Sequence, residues 1–81
     1  MKIKIRLFGA FRKYGNEIDI EIPDGSIVSD MKKLLVEALG DDSRELVYSS
    51  RFATDKNMLD DDSEITKNLS EVAIVPPVSG G

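Results

Sequence analysis

The group in this sequence with the most chemistry to offer is the carboxylate at its end. The last seven residues read Val75-Pro76-Pro77-Val78-Ser79-Gly80-Gly81. Gly80 and Gly81 carry no Cβ, so they pass through a channel where any side chain would collide. Pro76 and Pro77 fix φ and lack N–H groups, which stiffens the exit and holds the last four residues off a sheet. Val78-Ser79 is a short extended link between the two pairs. A free carboxylate is a poor acyl donor because its oxygen is a bad leaving group. Joined to AMP as a mixed anhydride it becomes a good one, and a terminal glycine leaves the carbonyl open to a sulfur or nitrogen nucleophile. At an average glycine usage of about 7%, two terminal glycines arise by chance in roughly 0.5% of chains. The ending therefore reads as a flexible tail, residues 76–81, in which Pro76, Pro77, Val78, Ser79 and Gly80 thread and Gly81 reacts.

The rest of the composition says where such chemistry must take place. A chain of 81 residues makes one domain and buries only about 60% of its unfolded surface, so its core is thin. It has no room for an enclosed cofactor cavity, and reactions must occur on its surface, on a tail or in a groove shared with a partner. It contains neither cysteine nor histidine, which removes disulfides, thiol nucleophiles, iron–sulfur ligation and the common zinc sites. It also removes the side chain most used for proton transfer near neutral pH. The chain is expected not to be catalytic alone, and to hold no metal and no cofactor of its own. Asp60-Asp61-Asp62 with Glu64 lacks the glycine spacing of a calcium loop and reads as a solvated acidic loop. The N-terminal MKIKIRLFGAF interleaves charge with apolar residues, unlike a signal peptide, and no run has the length of a membrane span. A cytoplasmic protein is expected. Residues 1–40 hold seven basic residues against six acidic, and residues 41–81 hold four against nine. That balance argues against nucleic-acid phosphates as a partner.

The scaffold beneath the tail is legible in periodicity. Lys2 to Leu7 alternates polar and apolar, which predicts a half-buried strand with Ile3, Ile5 and Leu7 inward and Lys2, Lys4, Arg6 and Phe8 outward. Residues 9–15 read as a connection. Glu17 to Ile22 alternates again, and the two runs form an antiparallel hairpin that Pro23 ends. Asp24-Gly25-Ser26 leads into a helix, with Ser26 or Ser29 as N-cap and Asp30 in the first turn. Its inward face is Val28, Met31, Leu35, Ala38 and Leu39, flanked by Ile27 and Leu34, with Lys32, Lys33 and Glu37 in solvent and Gly40 at the end. Asp41 to Glu45 is polar, Leu46-Val47-Tyr48 suggests a short strand, and one or two short strands with a long connection fill the segment up to residue 70. Val72 to Val75 is a β-branched final strand ended by Pro76-Pro77. A helix across one face of a mixed sheet makes an α+β roll, domain 1–75, whose first and last strands pair in parallel at the centre. Phe8 and Val75 then lie on neighbouring strands, exposed on the face away from the helix, as a docking surface would be. Arg12, with Arg6 and Lys13, is placed to meet an acidic partner.

Val72-Ala73-Ile74-Val75-Pro76-Pro77-Val78-Ser79-Gly80-Gly81, with Leu7-Phe8-Gly9-Ala10-Phe11-Arg12 and Asp24-Gly25-Ser26, resembles the MoaD-like small subunits of molybdopterin synthase. These belong to the ThiS/MoaD sulfur carriers, relatives of ubiquitin. The resemblance spans the chain, and the ending is its specific part. It implies a β-grasp fold and a cycle in which a ubiquitin-activating-type enzyme uses ATP and magnesium to adenylate Gly81. A sulfur donor then converts the adenylate to a thiocarboxylate. The tail inserts into the large subunit of molybdopterin synthase and passes its sulfur to a pterin precursor in molybdenum cofactor biosynthesis. It also implies that Phe8 and Val75 bind partners, and Arg12 is expected to join them through its charge. Other readings are a carrier for thiamine thiazole synthesis or tRNA thiolation, a protein modifier linked through Gly81, and a passive binding module.

Overall fold

The computed structural model describes residues 1–77. Strand β1 (Lys2–Leu7) runs into a short 3-10 helix (Gly9–Tyr14), and β2 (Glu17–Glu21) returns beside β1. Helix α1 (Val28–Leu39) crosses to the far end, where a 3-10 turn (Asp41–Ser43) leads into α2 (Arg44–Ser49). Strands β3 (Arg51–Ala53), β4 (Met58–Leu59) and β5 (Glu71–Val75) complete a mixed five-stranded sheet of order β2-β1-β5-β3-β4. The hairpin is antiparallel, with Ile3 opposite Ile20 and Ile5 opposite Ile18. β1 and β5 pair in parallel, Ile5 with Val72 and Leu7 with Ile74, as the two strongest strand patterns predicted.

The core lies between one sheet face and the helices. Ile3, Ile5, Leu7, Ile20, Ile22, Val72, Ile74 and Phe52 meet Val28, Met31, Leu35, Val36 and Val47, and all are buried. The alternating strands commit alternate residues to this layer, and α1 commits one stripe, so neither element is stable without the other.

Several expectations are corrected. Leu46-Val47-Tyr48 is not a strand but the middle of α2. A three-residue apolar run has no period of its own, and here a helical turn satisfies the backbone locally. The Ser49 hydroxyl donates to Glu45 O at 2.9 Å and the Ser50 hydroxyl to Leu46 O at 2.6 Å, closing the end of that helix. The connection at residues 9–15 is helical over Gly9–Tyr14 and buries Phe11 completely. Neither Ser26 nor Ser29 caps α1. The Ser26 hydroxyl is turned back to Pro23 O at 2.7 Å, and Ile27, whose side chain has no acceptor, occupies the cap position. Asp30 supplies the polar half of the cap, its Oδ2 accepting from Ile27 N at 3.0 Å. The first helical amides of α1 donate instead to a distant loop, Val28 N to Ser63 O at 2.9 Å and Ser29 N to Asp61 O at 3.0 Å. Ala38, expected inward, is exposed, and Val36 takes its place in the core.

Lys32, expected in solvent, is buried at 3% exposure. Its Nζ lies 2.8 Å from Asp61 Oδ1, and the same loop turns Asp60 onto Arg51 at 3.0 Å. The acidic loop is thus not merely solvated: it clamps the start of α1 through two backbone carbonyls and one carboxylate. Replacing Asp61 with Asn removes the charge that offsets a buried ammonium while keeping the shape. Asp61→Asn is expected to cost about 1–3 kcal/mol, read as a lower urea midpoint with an unchanged slope. An unchanged midpoint would show that the lysine is held by its aliphatic stem alone.

Candidate functional site

The tail leaves the sheet from β5, which stands between β1 and β3. Its inward residues Val72 and Ile74 are buried, at 2% and 0% exposure, so alternation sends Ala73 and Val75 to the outer face. Val75 is 38% exposed and Phe8, one residue past the Leu7–Ile74 pair on the neighbouring strand, is 40% exposed. Pro76 is half-buried and Pro77 exposed. Val78, Ser79, Gly80 and Gly81, which the sequence marked as the end of the thread and the reacting residue, lie outside the described residues.

Arg12 belongs to the same end. The 3-10 helix brings its guanidinium over the Phe8 ring, 5.9 Å from the centroid, and Nη1 donates to Asn16 Oδ1 at 3.4 Å. The ring thus meets a cation while staying 40% exposed. Phe8 and Val75 lie side by side at the base of the tail, as the sequence suggested, and Arg12 joins them through the Phe8 ring.

The outer face extends this patch in a way the sequence did not disclose. Ala73 pairs with Ala53, Ala53 with Met58, and Val75 with Arg51. Phe8, Val75, Ala73, Ala53 and the 47%-exposed Met58 thus form an apolar strip from the end of β1 across β5, β3 and β4. The signal could not be read locally, because Ala53 and Met58 reach the strip only through pairing of two- and three-residue strands. Charges beside the strip are spent on each other: Lys4 Nζ lies 3.2 Å from Glu17 Oε2, and Arg6 Nη1 lies 3.7 Å from Glu71 Oε2. Glu17, by hydrogen bond first and by charge second, holds the Lys4 ammonium above its ordinary range. A raised lysine stabilises the fold below its unfolded pKa and loses that contribution as pH rises through the folded value. The pair is therefore intact at neutral pH.

Among the described residues no three or more His, Cys, Asp or Glu are placed together to hold a metal ion, and no helix is long and apolar enough to cross a membrane. A surface depression at α2, lined by Asp41, Asp42, Arg44, Glu45, Tyr48 and Ser49, shares no residue with the tail or its base. What this end of the molecule offers is an apolar platform with Pro76 and Pro77 leaving from its edge.

The hairpin, the crossing helix and the parallel central pair define the small ubiquitin-like β-grasp fold. The chain is similar in structure to SAMP1 from Haloferax volcanii, with a TM-score of 0.74, 22% identity and complete coverage of both chains. It is similar also to a Pyrococcus furiosus protein described as a molybdopterin converting factor, subunit 1, with a TM-score of 0.73 and 23% identity over 95% of this chain and 98% of that one. A third likeness is to the UBL domain of Plasmodium falciparum Dsk2, with a TM-score of 0.67 and 18% identity over 95% and 97% of the two chains. No family model and no curated protein matches the sequence. At these identities the likeness establishes the fold.

Proposed function

We propose that this chain is a sulfur carrier that donates sulfur in molybdopterin synthesis, as the small subunit of a molybdopterin synthase. The observation that carries the reading is the junction of two features: a side-chain-poor ending, Ser79-Gly80-Gly81, and a final strand that ends at the edge of an exposed apolar platform. The fold shared with the molybdopterin converting factor subunit supports it.

The chemistry needs no catalytic group on this chain. The Gly81 carboxylate attacks the α-phosphorus of ATP, pyrophosphate leaves, and a mixed anhydride forms. A sulfide equivalent adds to the acyl carbon and AMP departs with the electron pair of the broken C–O bond, leaving a thiocarboxylate. ATP and magnesium are used by a ubiquitin-activating-type adenylating enzyme, and the carrier binds no cofactor. The large synthase subunit then receives the tail and uses the sulfur. Phe8, Arg12 and Val75 dock both partners. The carrier supplies a reactive end and its partners supply the catalysis.

Incubation with such an activating enzyme, ATP, magnesium and sulfide, followed by intact mass measurement, tests the reading. The expected result is a gain equal to the exchange of one oxygen for sulfur. Conjugates on lysines of other proteins would instead mark a protein modifier. An unchanged mass beside an activating enzyme that charges its own carrier would mark a passive module. Docking has its own test. Phe8→Ala removes an exposed ring, so stability should move by no more than about 0.5 kcal/mol. Loss of a central aromatic anchor costs about 2 kcal/mol of binding, or roughly 30-fold in Kd for the activating enzyme. Titration calorimetry beside a thermal melt separates the two quantities.

A further inference from the structure

Gly9 opens the 3-10 helix after β1, and parallel pairing of Leu7 with Ile74 carries Pro76 across it. A Cβ on Gly9 would lie 2.9 Å from Pro76 Cγ and 3.7 Å from Pro76 Cδ. The first distance is well inside carbon–carbon contact, whose optimum is about 3.5–4.0 Å. The backbone of Gly9 also has φ +56, in the left-handed region that side chains disfavour. Two independent features thus call for glycine at one position.

The neighbour in question cannot simply swing aside. The Pro76 ring is closed onto its own backbone nitrogen, so a push on Cγ is relieved by a change of ring pucker or by moving the residue. Because the ring also fixes φ, a shift there passes directly to Pro77.

We infer that Gly9 is a positioning residue: it seats the Pro76 ring and thereby sets the direction in which the chain leaves the sheet toward its terminal carboxylate. Its consequence for sulfur uptake rests on the carrier reading; the seat itself does not. Gly9 lies beside Phe8 in sequence and Arg12 in the same short helix, so the docking residues and the tail are aimed from one piece of backbone. A partner that grips Phe8 meets Pro76 at a fixed bearing.

Four proteins test this: the natural chain, Gly9→Ala, Pro76→Ala, and the double variant, each compared at a temperature where circular dichroism shows it fully folded. Single-turnover sulfur uptake is measured with the activating enzyme, ATP, magnesium and sulfide. Gly9→Ala is expected to slow uptake about 10-fold or more when Pro76 is present. It should have no effect when residue 76 is Ala, because the atom it collides with is gone. Equal rates for Gly9→Ala and the natural chain, or an equal slowing in both backgrounds, overturn the inference; the melting temperature does not decide it, because the φ of Gly9 lowers it in either background. The seat is read separately by NMR. A nuclear Overhauser contact between Gly9 Hα and Pro76 Hγ, and a moved Val75 amide in Gly9→Ala, are expected; absence of the contact overturns the seat. If the contact is present but the natural chain takes up no sulfur, the carrier reading fails and the seat stands.

Discussion

A chain lacking Gly81 is expected to take up no sulfur while melting at the same temperature as the full protein. Gly80 would then end the chain, so a glycine carboxylate is still present and the chemistry of the group is unchanged. What changes is reach. One residue spans at most about 3.3–3.6 Å, and a misplacement of about 1 Å from attack geometry already costs roughly 100-fold in rate. A carboxylate withdrawn by a full residue from the α-phosphorus of ATP should react at a rate indistinguishable from background. Stability should not follow, because the buried core runs from Ile3 to Ile74 among the described residues. Intact mass after incubation with the activating enzyme, set beside a thermal melt, gives both quantities. Full uptake by the shortened chain would remove Gly81 from the mechanism. A matching fall in melting temperature would mean that the ending is part of the fold, not a free end for partners.

The second large effect falls on stability and reaches the site through it. Phe11→Ala empties the place of a fully buried ring. Such truncations cost about 3–5 kcal/mol, against a total of about 4–12 kcal/mol for a domain of this size at 0.05–0.15 kcal/mol per residue. A fall in melting temperature of about 15 °C or more is expected, since each kcal/mol shifts a domain of 60–100 residues by about 4–8 °C. The ring is the only buried residue of the 3-10 helix Gly9–Tyr14, so it is what fastens that segment to the core. Phe8, Gly9 and Arg12 depend on it for their positions. At a temperature where the variant is still folded, partner binding should already be weaker. A loss below about 1 kcal/mol by chemical denaturation would contradict the burial and free the tail base from this anchor.

These two variants separate what was legible along the chain from what was not. Ile3, Ile5 and Leu7 announce their inward face by alternation, and Val28, Met31 and Leu35 announce theirs by helical spacing. The same local count sent Val75 outward and Val72 and Ile74 inward. Phe11 carries no such mark. It sits alone among Gly9, Ala10, Arg12 and Lys13, and its burial is decided by how a six-residue segment folds back between two strands. Lys32 is the converse case. Its charge and its place beside Lys33 mark it for solvent, yet the loop at residues 60–64 crosses over it and supplies both carbonyl partners for the helix amides and Asp61 for its charge.

Local pattern was enough for the two hairpin strands, the helix α1, the final strand and the side-chain-poor ending. Each is written in residues within one or two turns of each other, where period and residue type act directly on the backbone. The assembled fold was needed to bring Lys32 and Phe11 inside, to extend the apolar strip through Ala53 and Met58, and to rest Pro76 on Gly9. Those outcomes depend on which distant segments come together. A contact across sixty-seven residues, as between Gly9 and Pro76, leaves no period behind it in the chain.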